Sequence, residues 1–145
     1  MNGKLNRQFY RSYKKAKLSK LFYRLFKKAI KGKYDYVHIV NPSVTQENYF
    51  RGIGKTVVLI KLANKYNLPI YYRFFSTMSH IRTVCKELGL KMPIMHYKAD
   101  KNGGSIRGQR MILIDEDMSI EDIKKLQSEN PMVKIIGFAR INSKK

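Results

Sequence analysis

The chain has 145 residues, enough for one domain with a proper core and short for a multi-domain enzyme. Its 30 Lys and Arg against 10 Asp and Glu give a formal charge of +20, which excludes the balanced surface of an ordinary metabolic enzyme and points to a polyanionic partner, nucleic acid first. A single cysteine, Cys85, excludes an internal disulfide and a cysteine-based zinc site, and no apolar run reaches the length of a membrane span.

With no apolar signal-peptide core at the N-terminus and a lone thiol suited to a reducing compartment, the expected location is the cytoplasm. No membrane partner is expected.

Residues 1–34 are the most polarised part of the chain. No acid occurs there, while basic residues recur throughout, among them Lys14, Lys15, Lys17, Lys20, Arg24, Lys27 and Lys28. Leu18, Leu21, Phe22, Leu25, Phe26, Ala29 and Ile30 follow three- and four-residue spacing, which predicts a helix over about Ser19 to Lys31 with one apolar and one basic face. Gly32 is the expected C-cap. Each lysine alone reads as a solvated surface charge. The run as a whole reads as a nucleic-acid contact, with an anionic membrane surface as the alternative. Phe9, Tyr10 and Tyr13 are suited to stacking on bases or to packing.

Residues 35–145 read as one compact domain. Tyr36 to Val40 is a short apolar strand, followed by a polar loop from Asn41 to Asn48. Arg51-Gly52-Ile53-Gly54-Lys55-Thr56 then opens an apolar helix expected to run from Lys55 to Tyr66 and to end near Asn67. Glycines at a helix mouth let backbone N–H groups turn onto a phosphate, the lysine reaches its oxygens, and the threonine hydroxyl suits Mg²⁺. Tyr49 stands where the full pattern has its first glycine.

Ile70 to Phe75 reads as a second strand by its aromatic content. Ser76 or Ser79 is the expected cap of a helix reaching Glu87-Leu88 and closed by Gly89. Pro93 to Tyr97 is a further short strand, and Lys98 to Gly104 a turn-rich loop. Met111 to Ile114 is a buried strand with Asp115, Glu116 and Asp117 at its tip. Ser119 and Asp122 mark the start of a helix ending near Ser128, and Val133 to Arg140 is the last strand. Strands alternating with helices predict an α/β parallel sheet covered by helices, with ligands at the carboxyl ends of the strands; taken with the phosphate loop, the expected fold is three-layer and P-loop NTPase-like.

A phosphate loop joined to an apolar strand ending in Asp-Glu is more specific than either alone. Thr56 and Asp115 are the candidate Mg²⁺ ligands, Gly52, Gly54, Lys55 and Thr56 the candidate nucleotide contacts, and Glu116 the group that would polarise an attacking water. An isolated acid triplet is otherwise a solvated turn. His38, His80 and His96 show no metal-ligand spacing and read as structural.

The loop resembles the Arg-Gly-x-Gly-Lys-Ser/Thr loop of the large terminase subunits, the phage DNA-packaging ATPases. Ile106-Arg107-Gly108-Gln109-Arg110 ahead of Met111 to Glu116 is similar to the Arg-Gly stretch before their Asp-Glu strand. The resemblance spans roughly Lys27 to Arg140. It implies an additional-strand ATPase core using ATP and Mg²⁺, with Arg51 near the γ-phosphate as a catalytic candidate, DNA ahead of RNA as partner, self-assembly into a ring or dimer, and a host-cytoplasmic setting. It differs at Tyr49 and in a last strand ending Gly-Phe-Ala-Arg. The chain length leaves no room for a nuclease domain. Arg140, at a strand tip, reads as a sensor or trans-acting arginine or as an ordinary surface charge. The rival expectation is a non-catalytic nucleic-acid-binding or regulatory protein on a degenerate P-loop scaffold.

Overall fold

The computed structural model describes residues 3–40, 54–98 and 108–141, with the side chains of the first helix described from Lys17 onward. The Asn41 to Asn48 loop, Tyr49, Arg51 and Gly52 lie outside the described residues, as do Ile106, Arg107 and most of the 98–104 loop.

In chain order the elements are α1 (Gly3–Gly32), β1 (Tyr36–Val40), α2 (Lys55–Tyr66), β2 (Ile70–Tyr72), α3 (Phe75–Leu88), β3 (Met95–Tyr97), β4 (Met111–Ile114), α4 (Ile120–Glu129) and β5 (Lys134–Arg140). All five strands are parallel in one sheet of order β1-β5-β4-β2-β3.

Strand alternation divides the core into two. Met111, Leu113, Ile136 and Phe138 face one side, where they meet Phe22, Phe26, Ala29 and Ile30 of α1, the apolar face of α2, and Ile81 and Cys85 of α3. Ile112, Ile114, Ile135 and Ala139 face the other side, against Ile123 and Leu126 of α4. This is the period-two pleat acting on strands apolar on both faces, so a helix layer is needed on each side. The α/β class and the parallel sheet expected from the alternation are therefore present.

The helix α1 is longer than its apolar periodicity indicated, beginning at Gly3 rather than near Ser19. Its C-terminal half docks through Phe22 and Phe26, both buried, whose rings meet Phe138 at 5.1 and 5.0 Å. That part of the helix belongs to the core of the domain. Gly32 is the last helical residue and not the cap; the left-handed position falls on Lys33, φ 58°, while the Tyr34 ring lies where a Gly32 Cβ would sit.

Two glycines adopt positive φ where the fold requires it, one at a close approach and one at a helix end. Gly137, φ 145°, brings β5 so near β4 that a Cβ there would fall 2.0 Å from the Ile114 carbonyl oxygen. Gly89 closes α3 in the left-handed region, as expected. The strand β2 ends at Tyr72, however, so Phe74 and Phe75 are not strand residues.

Candidate functional site

The carboxyl ends of the strands collect the chemistry-bearing side chains along one edge of the sheet. Gly54 precedes α2 with φ 83° and ψ 30°, a left-handed conformation that glycine adopts without strain. It carries no side chain to cap the helix, so the first-turn N–H groups have no side-chain acceptor at the cap. Such a helix end carries partial positive charge and suits an anion.

On that first turn Thr56 Oγ1 donates to Asp115 Oδ2 at 3.1 Å. Lys55, only 8% exposed, sets its ammonium 3.4 Å from the Glu116 carboxylate, which is 36% exposed. Lys55 also lies 5.9 Å over the Phe138 ring. Four of the residues singled out in the sequence, Lys55, Thr56, Asp115 and Glu116, thus meet, beside Gly54. Their union follows from the strand order: β5 lies between β1 and β4, and the acids at the β4 tip face the start of α2.

Burial pushes the Asp115 carboxyl above its ordinary value, and the neighbouring charges of Glu116 and Asp117 add to the rise. Hydrogen bonds from the Glu116 backbone N–H and from Thr56 oppose it. A buried carboxylate with only neutral donors is electrostatically costly, and a cation beside it would offset that cost.

Arg140, at the tip of β5, donates from Nε to the Glu116 carbonyl oxygen at 2.8 Å. Its backbone N–H donates to the Met118 carbonyl at 2.9 Å. The residue braces the turn that carries Glu116.

Asp117 departs from the solvated-turn expectation. It is buried, and its Oδ2 accepts from Thr77 Oγ1 at 2.6 Å and from the backbone N–H groups of Arg73 and Phe74 at 2.9 and 3.2 Å. It therefore supplies the start of α3 with the acceptor that neither Ser76 nor Ser79 provides; the cap position itself is Phe74, which has none. No local signal marks this, because the acceptor comes from 43 residues away. By contrast Ser119 and Asp122 form the reciprocal capping box expected of them.

On α1, Lys17, Lys20, Arg24 and Lys28 are exposed and spaced so as to share one face, while Lys27 is half-buried. Lys14 and Lys15 lie on the same helix, with side chains outside the described residues. The helix passes beside the start of α2: Ser19 Oγ is 3.6 Å from where a Gly54 Cβ would sit.

Among the described residues, no group of three or more His, Cys, Asp or Glu side chains is placed to hold a metal, and no helix is long and apolar enough to cross a membrane. Cys85 is buried in α3, its thiol pushed up by desolvation, which suits a packing role. Compared with protein-family models, with curated proteins and with solved structures, the chain finds no match.

Proposed function

We propose that this chain is a P-loop ATPase that binds ATP with Mg²⁺ between the start of α2 and the tip of β4, and that acts on or with nucleic acid. The observation that carries the reading is the paired contact of consecutive residues, Thr56 with Asp115 and Lys55 with Glu116, at the carboxyl edge of a parallel sheet. The sheet has a strand, β5, between β1 and β4, which is compatible with the additional-strand core that the resemblance to the large terminase subunits implies.

The donor set suits Mg²⁺, which takes one or two protein oxygens together with phosphate oxygens and water. Thr56 Oγ1 and Asp115 Oδ2 would hold it, and the buried, hydrogen-bonded Asp115 carboxylate has the charge to do so. When bound, the ion supplies charge neutralisation across the phosphate oxygens. Lys55 would leave Glu116 for the β- and γ-phosphate oxygens, and the N–H groups of the first α2 turn would complete their cradle. Glu116, released and partly exposed, would orient the attacking water and accept its proton. Arg140 would hold the Glu116 backbone in place for that task. Gly52 and Arg51 enter by the resemblance, Arg51 as a contact to the γ-phosphate.

The exposed stripe of Lys17, Lys20, Arg24 and Lys28, with Lys14, Lys15 and Lys27, supplies the nucleic-acid contact, DNA ahead of RNA. Assembly of several copies on DNA in the cytoplasm of a host cell completes the proposal.

The test is ATP hydrolysis by the purified chain, with and without DNA or RNA, beside Lys55→Ala. Turnover that nucleic acid stimulates and the variant lacks supports the reading. Nucleic-acid binding without turnover in either protein favours a non-catalytic scaffold, the alternative that Tyr49 in place of a glycine suggests.

A further inference from the structure

A second group of residues lies on the same edge of the sheet, at the tips of β2 and β3. Phe75 opens α3 with its side chain 62% exposed, and Phe74 beside it is 44% exposed. The Phe75 ring stacks on Tyr97 with centroids 4.4 Å apart and planes 30° from parallel. Tyr97 in turn stacks on the buried Tyr72 at 5.3 Å and 26°. Phe75 also lies 6.4 Å from Tyr72 with planes 56° apart, so the three rings form a triangular cluster, buried at Tyr72 and open to solvent at Phe75. Phe22 and Phe26, in the core, instead meet Phe138 edge to face.

Basic residues lie near these rings. The Arg73 guanidinium lies 4.9 Å over the Phe74 ring, and Lys98 follows Tyr97 at the end of β3. Arg82, two turns along α3, is exposed; burial and the neighbouring Tyr97 push the Tyr72 hydroxyl above its ordinary value, and the Arg82 charge only partly opposes them. Asp122 is the counter-ion for both Arg73 and Lys98, at 2.9 and 3.6 Å, so two positive charges share one carboxylate. An open ring face rimmed by positive charge is complementary to a base with its phosphate, and less so to an apolar protein surface.

We infer that Phe75, Phe74 and Tyr97, with Arg73, Arg82 and Lys98, form a stacking platform for single-stranded nucleic acid, separate from the basic stripe on α1. One base would lie on the outer face of Phe75, and the phosphates beside it would meet the flanking cations. The inference rests on the proposed action with nucleic acid and adds where a base is held and in what strand form. The platform lies within two strands of β4, about 10 Å at ordinary strand spacing. Asp117 joins the two sites directly, since it follows Asp115 and Glu116 and holds the backbone of Arg73 and Phe74.

The experiment measures binding of fluorescent oligothymidylate, oligouridylate and a DNA duplex to the whole chain and to Phe75→Ala and Phe75→Tyr. A 5-iodouracil oligonucleotide, photocrosslinked and digested, maps the contact. Phe75 is so exposed that neither substitution should disturb folding. Single-strand affinity about tenfold weaker in Phe75→Ala, restored in Phe75→Tyr, with duplex affinity unchanged and crosslinks on Phe74, Phe75 or Tyr97, is the expected result. Unchanged single-strand binding in Phe75→Ala, with crosslinks elsewhere, overturns the platform and leaves nucleic-acid action on α1 intact. Absence of all nucleic-acid binding overturns both, and makes the patch a candidate protein interface. ATP turnover without nucleic acid, expected to be equal in Phe75→Ala and the parent chain, reads the nucleotide site separately. A loss of turnover there would contradict the separation of the two sites.

Discussion

Thr56 Oγ1 donates to Asp115 Oδ2 across 3.1 Å although 59 residues separate them in the chain. The contact joins the first turn of α2 to the tip of β4, and the adjoining Lys55–Glu116 pair repeats the connection one residue along on each side. Helix mouth and acidic tip are thereby held as one site, and each member has a consequence that substitution can expose.

Glu116→Gln should stop ATP turnover while leaving nucleotide binding at least as tight as in the parent chain. The substitution removes the proton acceptor and also removes the carboxylate that holds Lys55 away from phosphate. Equilibrium binding of ATP beside steady-state turnover checks both halves.

Asp115→Asn should raise thermal stability and abolish turnover together. Asn can still accept from the Glu116 N–H and donate to Thr56 Oγ1, so the hydrogen bonds persist while the buried charge goes. A gain of about 1 kcal/mol would lift Tm by a few degrees in a domain of this size. The pH dependence has a definite sign. The folded-state value is raised, so the penalty from Asp115 is complete above it and fades as pH falls through it toward the unfolded value of about 3.9. The stability advantage of the variant over the parent should shrink across that fall.

Asp122 behaves in the opposite sense. Desolvation pushes its carboxyl up, but hydrogen bonds from the Ser119 backbone and side chain, with Lys98 and Arg73 nearby, outweigh burial and hold it below the ordinary value. Its stabilisation is present above the unfolded value and lost as pH falls through the lower, folded one. Asp122→Ala should cost about 1–2 kcal/mol at neutral pH by removing half of the capping box, as denaturant titration would measure. That cost should shrink in strong acid, as protonation removes its charge-dependent part.

Gly137→Ala should destabilise by about 3 kcal/mol, because φ 145° is unfavourable for alanine and the new methyl would strike the Ile114 carbonyl. The clash comes one residue before Asp115, so any folded fraction should also bind nucleotide more weakly. Denaturant midpoints and ATP titration of the same preparation separate the two effects.

Replacing Lys17, Lys20, Arg24 and Lys28 together by Gln should weaken duplex DNA binding and flatten its salt dependence. Each lost phosphate contact reduces the log–log slope by roughly 0.9. The side chains are exposed, so circular dichroism and Tm should change little.

Local signals made much of this structure legible. Tyr36–Val40 and Lys55–Tyr66 have the bounds expected, Gly89 closes its helix, and Ser119 and Asp122 cap α4 as their spacing indicated. The α2 residues Lys55 and Thr56 and the β4-tip acids Asp115 and Glu116 were visible because each sits at a strand or helix end with its own pattern. What lay hidden depends on contacts distant in sequence. Parallel strand order cannot be read from strands that are all apolar. Phe74 and Phe75 read as strand by aromatic propensity, but Asp117 turns the chain into a helix there. The brace from Arg140 to the Glu116 carbonyl depends on β5 lying beside β4. The first half of α1 lacks the apolar periodicity that marked the docked half.

The most direct test of the nucleotide site is calorimetric titration of ATP into the chain with Mg²⁺ and with excess EDTA, beside folded Lys55→Ala and Thr56→Ala variants. The expected result is Mg²⁺-dependent one-to-one binding that Lys55→Ala abolishes and that loses its Mg²⁺ dependence in Thr56→Ala. Binding of ATP by Lys55→Ala as tight as by the parent chain, or no binding by the parent, would contradict it.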